Sequence, residues 1–310
     1  MNGREKEARN MWLSKRNYSS RSGDFKKMCA LVIKVNSELI ADWSLGRIVD
    51  WRFGLWNENK RQDTFFERNA VLWFDYLDEL TGFYLSEDGS LEFQMIVDPK
   101  YPILNQFMID DLKTKYGNIR TVCSQKDEVK KACLLRNDFR DNGSAETTFV
   151  YRADGIALPN REPVGYTTIG MDEYGNIEEQ IRLKNNAFNG GKTLRNHEIA
   201  AYYYVKQSPI YDPSMDLVLI GENGKPVSGC EGFIDYANGI MEIERICTHE
   251  DYRHRGLAKA VIAGCIKRGL SRGVRTVQIT GWNDETCHLY GSFGEHTVIV
   301  KHRYVYDELS

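Results

Sequence analysis

Thr248-His249-Glu250-Asp251-Tyr252-Arg253-His254-Arg255-Gly256-Leu257-Ala258 is the stretch on which the reading of this chain turns. Just before it, Ile240 to Cys247 alternates as a strand, with Glu242, Glu244 and Ile246 on one face and Met241, Ile243, Arg245 and Cys247 on the other. Just after it, Leu257, Ala258, Val261, Ile262, Cys265 and Ile266 recur along one stripe of a helix that closes near Gly269. Strand, short polar loop and helix make an anion-binding geometry, because the first amides of the helix point outward unpaired and its dipole favours negative charge. Gly256 lets the backbone approach a pyrophosphate where a Cβ would intrude. Arg253, His254 and Arg255 concentrate positive charge in a chain of net charge −3. The loop is not a Walker loop, since no Gly-Lys-Ser/Thr follows it, and it lacks the Gly-x-Gly-x-x-Gly of a dinucleotide site.

Working outward, the chain divides into two halves with the same order of elements. In the first, Phe25, Cys29, Val32, Ile33 and Leu39 begin a helix and a second helical stretch runs to about Trp56. Strand-like segments follow at 70–76, 81–85 and 91–97, then a helix over 104–116, a strand over 118–124, a helix over 127–140 and a strand over 147–151. In the second, a strand over 163–171, helices over 177–188 and 194–205, and strands over 216–220 and 227–235 around Glu222-Asn223-Gly224-Lys225 lead into the strand before the loop. A strand over 274–280, a helix over 285–292 and a strand over 297–304 end the chain. Corresponding features, such as Val71-Leu72 and Val218-Leu219, lie about 150 residues apart, which a duplicated fold explains.

These boundaries give a loosely ordered lead-in over 1–22, a first domain over 23–153, a linker over 154–162 carrying Pro159, and a second domain over 163–310. At 310 residues the chain exceeds what one core comfortably serves, so two domains are expected. A hydrophobic content of 42% and a charged content of 27% are globular values. The absence of a basic stripe speaks against nucleic-acid partners. With no apolar run near the length a membrane helix needs and a polar start from Met1 to Asp24, a cytoplasmic protein without a membrane partner is expected. The seven cysteines are scattered and no Cys-x-x-Cys or His-x-x-x-His pair occurs, so no metal is expected and the thiols read as reduced and mostly buried.

Thr248 to Ala258 resembles the acetyl-CoA signature of the GNAT superfamily of N-acetyltransferases, Gln/Arg-x-x-Gly-x-Gly/Ala, through Arg253, Gly256 and Ala258. Downstream, Asn283-Asp284-Glu285-Thr286-Cys287-His288-Leu289-Tyr290 is similar to the family's Asn-x-x-Ala-x-x-Leu-Tyr segment, with Thr286 in place of Ala and Glu295 after Gly294 where Phe is common. The resemblance implies an α/β (α+β) fold of two GNAT-like domains, each a mixed, mostly antiparallel twisted sheet flanked by helices. It further implies an acetyl-CoA-dependent transfer of acetyl to a primary amine of a small molecule or peptide, by direct attack in a ternary complex. Backbone groups of Ile246, Cys247 and Thr248 would take the pantetheine arm, and Arg253, His254, Arg255, Gly256, Leu257, Ala258 and Lys259 the pyrophosphate. Asn283 would reach the cofactor near its pantetheine, and Tyr290 would protonate the departing thiolate.

Chemistry adds its own requirement, because an alkylamine attacks only as the free base and is mostly protonated near neutrality. Glu242, at a spacing before Arg253 like that of the general base in some members of the superfamily, and Glu244 on the same face are the candidates, with a water relay an equal option. Amides beside Cys247 and Thr248 could stabilise the oxyanion. Glu231, Asp235, Glu242 and Glu244 on neighbouring strands would suit a cationic acceptor. The first half places Pro102 and no glycine after Val97-Asp98-Pro99-Lys100-Tyr101, which marks a degenerate copy without the loop. Trp43, Trp51, Trp56 and Trp73 could wall a cleft, though core packing is the expectation for them. The alternatives are a non-catalytic acetyl-CoA-binding sensor, or transfer from another acyl-CoA; monomer and homodimer both stay open.

Overall fold

The computed structural model describes residues 13–40, 42–62, 64–159 and 161–308. The chain forms two compact units, one of Met1–Ala145 with Val300–Ser310 and one of Glu146–Ile299. The first twelve residues of the expected lead-in lie outside the described residues, as does Asn160 of the expected linker.

Unit 1 runs β1 (Ser14–Asn17), α1 (Asp24–Asn36), α2 (Leu45–Phe53), α3 (Phe65–Asn69), β2 (Ala70–Phe74), β3 (Leu80–Ser86), β4 (Glu92–Val97), α4 (Leu104–Lys115), β5 (Asn118–Ser124) and α5 (Glu128–Arg136). β1 to β4 pair antiparallel in chain order, and β4 then lies parallel to β5 at Glu92↔Arg120 and Phe93↔Thr121. β1 falls in the stretch expected to be a loose lead-in. All four of its residues are exposed and polar, so no apolar pattern marks it, yet they pair with Val71 to Phe74 and Arg16 bonds the buried Asp24 at 2.6 Å. Trp43, Trp51 and Trp73 are core residues at 3% exposure or less, whereas Trp56 is exposed.

Unit 2 follows with β6 (Arg140–Arg152), whose last part belongs to it, β7 (Thr167–Gly170), α6 (Met171–Tyr174), α7 (Ile177–Asn189), α8 (Asn196–Val205), β8 (Asp216–Ile220), β9 (Pro226–Asp235), β10 (Ile240–Thr248), α9 (Leu257–Ser271), β11 (Thr276–Gly281), α10 (Asp284–Tyr290) and β12 (Thr297–Asp307). Again β7 to β10 pair antiparallel in order and β10 lies parallel to β11, so the two units repeat one topology. The closing strand of each unit comes from the other half of the chain: Thr147–Arg152 of β6 pair antiparallel with β11, and Lys301–Asp307 of β12 pair antiparallel with β5. Contacts therefore divide the chain at Ala145/Glu146 and Ile299/Val300 and not within 154–162. Ile156 and Leu158, inside that stretch, pack on the unit 2 core, and Ala157 N donates to Phe293 O at 2.6 Å.

The core of unit 2 sits between one sheet face and α9, where Leu257, Val261, Ile262, Cys265 and Ile266 meet Leu217, Cys230, Met241, Ile243, Val277 and Ile279. Each such aliphatic burial contributes about 1.5–3 kcal/mol. Gly269 lets the helix settle on β10, since a Cβ there would lie 2.6 Å from Met241 Sδ. α7 covers the opposite face, bringing Leu183 and Lys184 against β9 and β10.

Candidate active site

β10 does not run straight. It pairs in parallel with β11 from Ile240↔Thr276 to Ile243↔Ile279, and no pair beyond Ile243 follows among the described residues. Against β9 its register shifts between Glu244 and Cys247, one extra residue entering where Arg245 takes a left-handed φ of 51°. This is a β-bulge, which bends the strand and interrupts pairing. The rest of β10 therefore leaves β11 and offers Ile246, Cys247 and Thr248 as a strand edge.

The bulge also reverses the side-chain alternation and corrects the reading of a regular strand. Ile246 turns to the α9 core with Met241 and Ile243, while Cys247 joins Glu242 and Glu244 on the α7 face, near Leu183 and opposite Gly229. Two carboxylates do share a face, as expected; their neighbours there are different. Burial pushes the Cys247 thiol up to about 12, so it is no nucleophile near neutrality.

The loop is braced from α7. Glu250 N donates to Asn186 Oδ1 at 2.8 Å and Asn186 Nδ2 to Glu250 Oε1 at 2.7 Å, while Arg253 Nη2 donates to Ala187 O at 3.3 Å. Arg255 folds back over Tyr252, 5.0 Å from its ring, and donates to Asp251 O at 2.8 Å. Arg253, His254, Arg255 and Gly256 are all exposed. Gly256 is the N-cap of α9 at φ 74° with no side-chain cap bond, and a Cβ built on it would meet no atom within 4 Å. The amides of Leu257, Ala258 and Lys259 thus open α9 beside empty space, the first helical bond being Ala260 N to Gly256 O at 3.1 Å. Lys259 is tied to Ser292 O at 3.1 Å, which turns its ammonium along the helix toward Phe293.

Tyr290 ends α10, 7% exposed, in the unit 2 core. Its carbonyl accepts a bond from the buried Tyr151 hydroxyl, which fixes the residue at the turn. Burial first, and then the Glu244 charge, raise its pKa above the ordinary value, so the phenol keeps its proton near neutrality. The structure therefore brings Glu244 and Tyr290 within electrostatic reach. Asn283 is occupied differently from expectation: its Oδ1 accepts Thr286 N at 2.9 Å, and Thr286 Oγ1 donates to Asn283 O at 3.0 Å. The Thr in the family's Ala position thus closes a capping box and turns the Asn283 oxygen to the helix.

The acidity expected around the acceptor is largely spent. Glu231 accepts Lys184 Nζ at 2.5 Å and is paired with Arg245, and Asp235 holds Asn238 Nδ2 at 2.6 Å. Glu242 and Glu244 lie on the same face of the sheet as Glu231. Lys184 and the left-handed Arg245 were invisible to sequence reasoning, because local patterning shows only a helix lysine and a strand arginine there, and Glu231 reads from sequence as acidity toward an acceptor and not as the centre of an ion-pair network. Among the described residues no group of His, Cys, Asp or Glu could hold a metal ion, and no helix is long and apolar enough to cross a membrane.

Residues 182–294 match the family model described as Acetyltransferase (GNAT) family. Solved structures with a similar fold include a GCN5-related N-acetyltransferase from Sphaerobacter thermophilus, at 16% identity and TM-score 0.52 over 94% of this chain and 95% of that one. A tandem GNAT protein from the clavulanic acid biosynthesis pathway aligns at 12% identity and TM-score 0.55 over 96% and 98%. A GNAT-family acetyltransferase from Colwellia psychrerythraea aligns at 12% identity and TM-score 0.61 over 95% and 100%. A comparison with curated proteins gives no match. Residues 182–294 are thus similar to the GNAT family of acetyltransferases, and the fold of both units is similar to that of solved GNAT proteins that align over nearly the whole chain.

Proposed function

We propose that unit 2 transfers an acetyl group from acetyl-CoA to a primary amine of a small molecule or peptide, both substrates being bound at once. The observation that carries this reading is the succession of a bulged strand edge at 246–248 and an uncapped helix opened by Gly256. An extended amide-bearing arm pairs with the first, and a diphosphate sits on the second. The residues fit the group: a Cβ built on Gly256 would meet no atom within 4 Å beyond its chain neighbours, which leaves room for an anion at the start of the helix.

Acetyl-CoA supplies an acyl group activated as a thioester. Ile246, Cys247 and Thr248 orient the arm by main-chain bonds, and amides beside Cys247 and Thr248 stabilise oxyanion charge as it develops. Arg253 and Arg255, exposed in the loop ahead of the helix, add positive charge near the diphosphate, while His254 and Lys259 flank it. Glu244, or Glu242 through water, takes a proton from the acceptor ammonium, and the free amine so formed attacks the thioester carbonyl. Tyr290, held protonated, gives its proton to the departing sulfur. Asn283 contributes its amide nitrogen, its oxygen being committed to α10.

Isothermal calorimetry with acetyl-CoA, followed by thiol release across a panel of amines, aminoglycosides, polyamines and peptide amino termini, tests the reading. Micromolar binding with amine-dependent thiol release is expected. Folded protein that gives no heat with any coenzyme A derivative refutes it.

A further inference from the structure

We propose that the buried ion pairs joining Arg245 to Glu231 and Glu231 to Lys184 are a positioning device that pins the β10 bulge and so keeps the donor edge open. The proposal rests on the acyl-donor reading above and adds residues to it.

Arg245 has a left-handed backbone, which an L side chain adopts only when its surroundings impose it. The surroundings here are specific. Its guanidinium bonds Glu231 on β9 and lies 5.6 Å from the centre of the Phe233 ring. The Glu231 side chain is 3% exposed and its other oxygen accepts Lys184 Nζ of α7 at 2.5 Å. Lys184 lies 3.8 Å from Asp216 of β8, which also takes Lys206 Nζ at 2.5 Å, the Tyr211 hydroxyl at 2.8 Å and Gln180 Nε2 at 2.7 Å. Burial alone would raise the Glu231 carboxyl, yet Arg245, Lys184 and Lys206 hold it well below the ordinary range, so the pairs remain ionic.

Such a network is a poor source of net stability, because desolvation consumes most of the Coulombic gain. Its position is what sets it apart. Glu231 stands directly opposite Glu244, the last residue before the bulge. With the tether removed, β10 can flatten and continue its parallel ladder, Glu244 against Thr280, since Ile243 already pairs with Ile279. That pairing would close the edge.

The test is made on the full chain with Arg245→Ala, Glu231→Gln and Arg245→Lys. Alanine removes the tether, keeps the left-handed backbone cost and leaves Glu231 paired with Lys184, so the bulge loses what imposes it while the rest of the network stays. Arg245→Ala and Glu231→Gln should raise the Kd and KM for acetyl-CoA about tenfold, ~1.4 kcal/mol, with kcat much less affected. Hydrogen exchange at the amides of 244–248 should change in both variants, and Arg245→Lys should lie between them and the parent. Unchanged acetyl-CoA affinity and unchanged exchange at 244–248 in Arg245→Ala overturn the proposal, whatever Glu231→Gln does to folding. If the parent protein binds no acyl-CoA, the donor reading fails by itself, and the exchange of 244–248 still decides whether Arg245 pins the bulge.

Discussion

Replacing Gly256 by alanine separates the fold of the helix start from its use. The residue lies at φ 74°, and a Cβ there would touch nothing within 4 Å, so the folded protein meets no steric clash and only the left-handed backbone cost of about 1–2 kcal/mol. For a protein of this size that lowers Tm by several degrees at most. Binding suffers separately, because the methyl projects into the space from which an anion must approach the amides of 257–259. Loss of one or two charge-assisted bonds, at roughly 1.5–3 kcal/mol each, weakens acetyl-CoA binding by about ten- to a hundredfold or more. Gly273 is the control: it sits just past the other end of α9 at φ 87°, also with no atom within 4 Å of an added Cβ. Gly273→Ala should match the melting shift and leave affinity intact. Calorimetry at fixed ionic strength and thermal melts on the three proteins give the comparison. Affinity of Gly256→Ala within about twofold of the parent, or an equal loss in Gly273→Ala, refutes the anion cradle.

Tyr290→Phe keeps the packing and removes the proton donor, so kcat should fall by about a hundredfold with acetyl-CoA binding unchanged in calorimetry; an unaltered kcat assigns thiolate release elsewhere. Glu244→Gln should lower kcat and abolish the acidic limb of the pH–rate profile. A profile that keeps that limb there and loses it in Glu242→Gln moves the base to Glu242. In acid, Glu231 sets a further expectation: its folded pKa is depressed, so its stabilisation is complete above the ordinary carboxylate value and is lost as pH falls through the folded one. Chemical denaturation from pH 6 downward should therefore show a shallower loss of stability in Glu231→Gln than in the parent below about pH 4.5, and parallel curves would count against the ionic network.

The order of elements was legible in the residues themselves. Apolar spacing in 257–266 and the glycine ahead of it mark α9 and its open start, because both depend on neighbours one helical turn away. The repeat of strand, loop and helix at 92–115 and 240–271 announces two copies of one fold, and the proline-bearing loop of the first marks the degenerate one. Even the capping oxygen of Asn283 could be read three residues ahead, at Thr286.

What the sequence could not disclose lies in long-range pairing. Ser14–Asn17 has no apolar face and becomes a strand only because β2 has a free edge for it. The closing strands of the two units reach partners more than a hundred residues away, which no local period encodes. Ile240 to Thr248 reads as plain alternation, and the extra residue at Arg245 exists only as a mismatch against β9. Local composition thus determined the helices, the open helix start and the duplicated order. Tertiary structure decided where β10 parts from β11 and which charges hold it there, because a bulge and a buried ion pair are properties of two chain segments brought together and of neither one alone.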